Sequence, residues 1–227
     1  VMDRRQFLTA AGFAGLGALL PGRSSAIGDA SRTTIARVKY GVDSWDVRGS
    51  GIRRLLQEVD KRTSISVVPD YPTIPLDDKT LFEHPFATMM GESDFEPLPT
   101  SQLEKLRTYL QSGGFLVVDA SEGVQKGPFF KSIKRDLGRA FPDHELRPIP
   151  SDHVLYKSFY LIDDPVGRID ISDELIGLFD SDRLYAVIHQ NDLFGALSQD
   201  SFGEWTYSVR PGGEQQRERA FRLGINL

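Results

Sequence analysis

Side chains with catalytic chemistry follow two apolar segments of this sequence, at the point where each segment ends. Asp119 comes directly after Phe115–Val118, and His189 comes directly after Leu184–Ile188. In open α/β sheets, ligands bind beyond the carboxyl ends of the strands. A carboxylate there can bind a ligand hydroxyl or a metal ion, and a histidine can accept or donate a proton. Asp119 and His189 are therefore the first candidates for a functional site.

Three further residues extend this set. Asn191 and Asp192 follow His189 within three positions and form the densest polar group at a strand end in the sequence. His153 follows Asp152 in a polar turn, where it can act as a proton shuttle or a metal ligand. The candidates for catalysis are therefore Asp119, His153, His189 and Asp192. The candidates for ligand binding are Asp119, Asn191 and Asp192.

Each candidate also has a structural interpretation. Aspartate and asparagine cap helices and hydrogen-bond to backbone groups in turns, which suits Asp119 and the pair Asn191–Asp192. His153 can pack against the sheet in a turn that Asp152 caps. The sequence leaves the choice between function and structure open at each of these positions.

Composition excludes several kinds of site. The chain has no cysteine, which excludes disulfides, thiolate metal sites and a cysteine nucleophile. Ser121 can be imagined as a replacement nucleophile, but no Gly-x-Ser-x-Gly elbow surrounds it, and helix capping is the favoured interpretation. The histidines form no closely spaced pair of the kind that zinc and iron sites use, so we expect no metal and no other cofactor. We expect His144 to be solvated.

The charge distribution argues against nucleic acid as a partner. The formal net charge is −5 at pH 7. Nucleic-acid binding depends on clustered Lys and Arg that neutralise phosphates. No such cluster occurs in the sequence, and we expect no nucleic-acid partner.

Apolar segments alternate with helical patterns along most of the chain. Strands are predicted near residues 35–40, 65–68, 86–90, 115–118 and 184–188, with a further unit over 152–162. Amphipathic spacing predicts a helix around 52–59, a capping box at Ser101–Glu104 predicts a second, and Pro128 opens a third. Short buried strands that alternate with helices predict an α/β fold, a mostly parallel sheet flanked by helices.

The N-terminus has the pattern of a twin-arginine export signal. The motif consists of Arg4, Arg5, Phe7 and Leu8. A Gly/Ala-rich apolar run follows it, and Ala26 ends a small-residue site for a signal peptidase. We predict that residues 1–30 are a signal peptide with a short linker, that the twin-arginine translocase is a partner during export, and that the protein resides in the periplasm. An uncleaved leader that tethers the protein to the membrane is the alternative.

Several segments together resemble a bacterial family of unknown function, DUF4159. They are 85–91, Leu106–Leu110 with Gly113–Leu116, Asp119, Phe141–Pro142, Asp152–His153, Lys157–Tyr160, Asn191–Leu193 and Arg222–Asn226. The resemblance implies a class I glutamine amidotransferase-like, or flavodoxin-like, fold and a single α/β domain over residues 35–227. Members usually continue past the Gly-Ile-Asn segment, so the resemblance also implies that a final C-terminal element is lacking. Relatives carry twin-arginine leaders or membrane regions, which points to a membrane-associated protein partner.

Two functions are consistent with these observations. The first is a periplasmic module, not an enzyme, that binds a ligand or another protein. Its support is the missing cysteine nucleophile and the lack of a compact catalytic motif. The second is a periplasmic hydrolase or carbohydrate-processing enzyme that uses Asp119 with His153 or with His189 and Asp192. The second hypothesis requires these side chains to meet within hydrogen-bond reach.

Overall fold

The computed structural model of the protein describes residues 32–41 and 45–227, and within them seven strands form one sheet. The strand order is β2-β1-β3-β4-β7-β6-β5. The strands are β1 (Ile35–Lys39), β2 (Thr73–Pro75), β3 (Phe86–Gly91), β4 (Phe115–Ala120), β5 (Leu146–Pro148), β6 (Ile176–Asp180) and β7 (Arg183–His189). Residues 33–227 form one compact unit.

Helices cover both faces of this sheet. They are α1 (Gly49–Arg62), α2 (Thr100–Gln111), α3 (Pro128–Ala140), α4 (Leu193–Leu197) and α5 (Gly213–Asn226). Apolar residues of α2 and α3 pack on one face, against side chains such as Val38 and Val118. Apolar residues of α1, α4 and α5 pack on the other face, against side chains such as Met90 and Val187. The prediction of an α/β protein with helices on both sides of the sheet is confirmed.

The sheet is parallel except at one edge. β2, β1, β3, β4 and β7 run in parallel, whereas β6 is antiparallel to β7 and β5 is antiparallel to β6. Only Ser181 and Asp182 separate β6 from β7. A connection of two residues can join antiparallel strands only, because parallel strands need a long crossover. The mostly parallel sheet is confirmed, and this antiparallel edge was not predicted.

The strand order reverses at β1. From β1 the chain passes to β2 on one side and then to β3 on the other side. The crevice between the carboxyl ends of β1 and β3 is therefore the topological switch point of the sheet. Arg48 precedes α1 at this crevice and has a left-handed backbone conformation with φ of 55°.

Two local predictions are wrong, those of a strand at 65–68 and of a capping box at Ser101–Glu104. Residues 65–68 contribute only an isolated bridge between Thr33 and Val67. Residues 152–162 contain a short 3₁₀ turn, Val154–Lys157. The capping box does not form, because α2 begins at Thr100 and Pro99, which has no side-chain oxygen, occupies the cap position. The predicted signal peptide lies outside the described residues, among which no helix is long and apolar enough to cross a membrane.

Candidate functional site

Asp119 lies at the end of β4 and is completely buried. Its Oδ1 accepts a hydrogen bond from Leu193 N at 2.8 Å and lies 3.1 Å from His189 Nδ1. Its Oδ2 accepts from Phe194 N at 2.8 Å. Leu193 and Phe194 begin α4, so the carboxylate fixes the start of this helix to the strand. Both carboxylate oxygens of Asp119 are thus used within the protein.

His189 ends β7 directly opposite Asp119, its Cα partner in the parallel ladder. The imidazole is fully buried, and its Nε2 lies 2.9 Å from the carbonyl oxygen of Pro165. One ring nitrogen therefore faces a carboxylate and the other faces a carbonyl. A histidine that acts as a general base needs a free nitrogen toward the substrate, and neither nitrogen of His189 is free in this arrangement.

Asp192 follows three residues later and is also fully buried, with φ of 56°. Its carboxylate caps α4 by accepting from Gly195 N at 3.0 Å. Two guanidinium groups contact it, Arg48 through Nε at 3.1 Å and Arg168 through Nε. Burial and then the charge of Asp119 raise the pKa of Asp192, while Arg48 and Arg168 oppose this shift. The cost of burying this carboxylate explains why two cations converge on it.

Asn191 uses every hydrogen-bonding position of its side chain. Its Oδ1 accepts from Ile171 N and Ser172 N, both at 2.9 Å. Its Nδ2 donates to the carbonyl oxygens of Pro165 at 2.8 Å and Ser172 at 2.7 Å. The amide thus fixes the segment 165–172 against the end of β7. We call Asp119, His189, Asn191 and Asp192 the Asp119 cluster.

Arg48 connects the Asp119 cluster to the surface. Its guanidinium lies 4.2 Å from the ring centre of Tyr207 and donates to the Tyr207 hydroxyl at 2.8 Å. The same nitrogen, Nη1, lies 2.6 Å from Oε1 of the half-exposed Glu92. Arg48 therefore bridges the carboxyl end of β3 and the loop after β7.

The sequence analysis missed Arg48, Arg168 and Tyr207. Each is separated from Asp192 by 15 or more positions, and nothing in the local pattern marks an arginine as the partner of a distant buried carboxylate. Their signal is thermodynamic, because a buried aspartate requires a cation or several donors somewhere in the fold.

The candidate His153, and His144, which was expected to be solvated, lie apart from the hydrogen bonds of the cluster. His153 caps the 3₁₀ turn, where its Nδ1 accepts from Leu155 N at 3.2 Å and its ring packs on Phe179. Burial lowers the pKa of His153 below its ordinary value. His144 packs between Phe141 and Tyr185, so the prediction of a solvated side chain is wrong.

Ser121 stands one residue beyond β4 and is buried. Its backbone N–H donates to the Gly91 carbonyl at 2.8 Å. Its Oγ has no hydrogen-bond partner within residues 32–41 and 45–227. Capping, the interpretation favoured from the sequence, is therefore not the role of this hydroxyl. The cap of α3 is supplied by the next residue, Glu122, whose carboxylate accepts from Phe129 N and Phe130 N.

An apolar groove of about 360 Å³ lies at the opposite edge of the sheet, by the amino ends of β1 and β3. It is lined mainly by Ile35, Leu55, Phe86, Phe159 and Ile225. None of the predicted site residues lines it. The groove and the Asp119 cluster are therefore separate features.

The predicted site residues do not form a metal-binding group in the part of the chain that the structure describes. Across the described ranges, no group of three or more His, Cys, Asp or Glu side chains is arranged to hold a metal ion. The acidic side chains of the Asp119 cluster have arginine, histidine and backbone N–H groups as partners. The catalytic and ligand-binding roles of its residues stay predictions.

Comparison with known proteins identifies the family and no activity. No curated protein matches the chain. A profile of the family described as Domain of unknown function (DUF4159) matches residues 34–227. This match covers most of the sequence, including every strand and helix named above, and the chain belongs to the DUF4159 family.

Proposed function

We propose that the protein is an exported module that binds a ligand without transforming it. The observation that carries this proposal is the saturation of Asp119. Both of its oxygens accept hydrogen bonds from the chain itself, and the side chain has no contact with solvent. Acid–base catalysis requires contact with the substrate or with one bridging water. Asp119, His189 and Asp192 are therefore better suited to holding β4, β7 and α4 together.

The strand order supports a flavodoxin-like, class I glutamine amidotransferase-like fold. The parallel strands β2-β1-β3-β4-β7 follow the flavodoxin-like order 2-1-3-4-5. Proteins with this order bind their ligands in the crevice between the first and third strands. In this chain the crevice lies between β1 and β3. Trp45 belongs to the segment that follows β1, and the Arg37 guanidinium lies 4.8 Å from the centre of its ring. We assign the ligand to this crevice.

The sequence motif Arg4-Arg5-Gln6-Phe7-Leu8 supports export through the twin-arginine translocase. Periplasmic location follows from this motif. A membrane-associated protein is the partner that we propose from the family resemblance. The apolar groove, with Phe86 and Phe159 substantially exposed, offers such a protein a surface of suitable character.

Native mass spectrometry of the purified full chain tests the binding function. We expect one small molecule retained per chain, with unchanged mass after prolonged incubation. Trp45→Ala removes an aromatic surface in the segment that follows β1 and should weaken retention by about three- to tenfold. Phe202→Ala is the matched control, because Phe202 is almost fully exposed and should not affect retention. Equal loss in both variants, or no retained molecule, would contradict the proposal.

A hydrolase is the second candidate, because the Ser121 hydroxyl is buried without a partner beyond β4, the neighbour of the strand that ends in His189. A serine nucleophile needs a base within hydrogen-bond reach. The Nε2 of His189 would have to leave the Pro165 carbonyl to serve as that base. Turnover of an ester or glycoside that Ser121→Ala abolishes would establish this second function in place of the first.

A further inference from the structure

The amino end of α1 lacks the acidic groups that usually stabilise a helix start. Arg48 at the cap position makes no side-chain hydrogen bond to the first turn, and this turn contains no acidic residue. The first N–H groups of a helix have no partner inside it, and the helix dipole adds partial positive charge there. This helix has 14 residues, and its start follows β1 at the topological switch point.

Two side-chain donors lie against the first turn at Gly49. A Cβ placed on Gly49 would lie 2.5 Å from Tyr71 Oη and 2.7 Å from Arg37 Nη1. Both donor atoms therefore lie beside the first residue of the helix. Any other residue at this position would require the ends of these two side chains to shift. Neither atom has a hydrogen-bond partner among the described residues.

Arg37 is a buried cation with unused donors. The residue is 5% exposed, and its Nη2 donates to the Trp45 carbonyl and to the carboxylate of Asp46. Its Nε is buried and has no partner in the part of the chain that the structure describes. Asp46 is mostly exposed, and its carboxylate contacts the Nη2 of Arg37. The Nη1 of Arg37, which lies beside Gly49, also has no acceptor among the described residues, so an external acceptor can reach the cation at this nitrogen.

We propose that a phosphate group binds at the amino end of α1. Its oxygens accept hydrogen bonds from Arg37 Nη1, Tyr71 Oη and the first N–H groups of the helix, those of Gly49 and Ser50. A cation, a hydroxyl and the N–H groups of a helix start together supply several donors and positive charge, which suits a phosphate dianion with its several acceptor oxygens. The inference rests on the proposed function, because it names the class of ligand that the module binds.

Titration of the ¹⁵N-labelled full chain with inorganic phosphate tests the site directly. We expect saturable shifts of the Gly49 and Ser50 amide signals, with chloride at equal ionic strength as the reference. Glycerol phosphate and acetate form two further arms. Tighter binding of glycerol phosphate than of inorganic phosphate identifies a phosphate monoester as the ligand, the reverse identifies free phosphate, and both support the site. Binding of acetate as tight as that of phosphate would overturn it.

Three variants make the assignment specific. Tyr71→Phe removes one hydrogen bond to a charged group and should weaken phosphate binding about tenfold. Arg37→Gln should abolish saturation. Lys61→Gln is the control, because Lys61 is an exposed cation in the last turn of the same helix, twelve residues from Gly49, so binding should change less than about twofold.

The Tyr71→Phe variant keeps the test decisive if Arg37→Gln fails to fold, because the Tyr71 hydroxyl has no hydrogen-bond partner to lose within the described ranges. No saturable shift in the wild-type chain, or unchanged affinity in Tyr71→Phe, would overturn the phosphate site. Retention of a phosphate-free molecule in native mass spectra, without any phosphate binding, would overturn the site alone and leave the binding module standing.

Discussion

The Asp119 cluster and the amino end of α1 both lie toward the carboxyl edge of the parallel strands, and they use polar groups in opposite ways. In the cluster, two carboxylates and an amide are fully buried, and every one has partners in the chain. At the amino end of α1, Arg37 Nε and Nη1 and the Tyr71 hydroxyl have no acceptor among the described residues. Saturated groups stabilise a fold, whereas a donor without an acceptor needs an explanation, and the explanation that we propose here is a ligand. Location at a strand end does not by itself distinguish the two roles.

The largest expected effect comes from Asp119→Ala. The substitution leaves Leu193 N, Phe194 N and His189 Nδ1 buried without an acceptor, and breaking a buried charged network costs about 3–5 kcal/mol. We expect a loss of this size in the free energy of unfolding measured with urea. Asp152→Ala, in an exposed turn, is the matched control and should change it by less than about 0.5 kcal/mol. A loss below about 1 kcal/mol in Asp119→Ala would show that the cluster is not structural.

Gly195→Ala should have the next largest effect. A Cβ at Gly195 would lie under 3.0 Å from the carboxyl group of Asp192, and overpacking of this kind costs about 1–3 kcal/mol. Gly138→Ala in α3 is the control, because a Cβ there meets nothing within 4 Å. Helix propensity should make Gly138→Ala more stable by up to about 1 kcal/mol. Thermal unfolding of both variants checks these opposite signs, and equal shifts would contradict close packing of α4 on Asp192.

Two tyrosine hydroxyls allow a direct comparison between a group with a hydrogen-bond partner and a group that has none among the described residues. Tyr207→Phe removes the acceptor of Arg48 Nη1 and should cost about 0.5–1.5 kcal/mol in stability. Tyr71→Phe removes a hydroxyl that has no partner in the described part of the chain and should change stability by less than about 0.5 kcal/mol. Urea unfolding without phosphate measures both values. A larger loss in Tyr71→Phe than in Tyr207→Phe would reverse the roles that we assign to the two regions.

His153, outside both regions, should give the smallest effect and a defined pH dependence. Burial lowers the pKa of His153 in the folded state, so the unfolded chain holds this proton more tightly. The resulting stability is present above the ordinary histidine pKa of about 6.5 and is lost as the pH falls through it. The stability of the wild type relative to His153→Asn, which retains a capping oxygen, should therefore decrease from pH 8 to pH 5. A difference in stability that stays constant from pH 8 to pH 5 would contradict the lowered pKa of His153.

The positions of Asp119 and His189 could be predicted from the sequence, because their apolar strands are distinctive and parallel strands end at the same edge. Their neighbourhood follows from the sheet register. The two antiparallel strands β5 and β6 were missed, since Leu146–Pro148 is short and Ile176–Asp180 resembles any apolar segment. The first residue of α2 was predicted correctly, but its cap residue was not. A Ser-x-x-Glu pattern does not determine which residue precedes the first turn.

The partners of the candidate residues could not be predicted. Arg48, Arg168 and Pro165 are distant in sequence from Asp192 and His189, and only the folded chain decides which cation reaches which carboxylate. The same holds at Gly49, where a glycine at a helix start looks ordinary until Tyr71 and Arg37 are seen against it. Propensity reports on neighbours within a few residues, whereas these contacts depend on tertiary packing.

The hydrogen bonds of Asp119 also bear on the order of folding. They join residues 70, 74 and 75 positions apart in the chain. Contacts across such separations carry a large loop-closure entropy and form slowly relative to local helices. We therefore expect α1, α2 and α3 to be formed before Asp119 meets His189 and α4. Asp119 would then become buried only when the central strands have assembled. Protection of the Leu193 and Phe194 amides from hydrogen exchange would measure when this late step occurs.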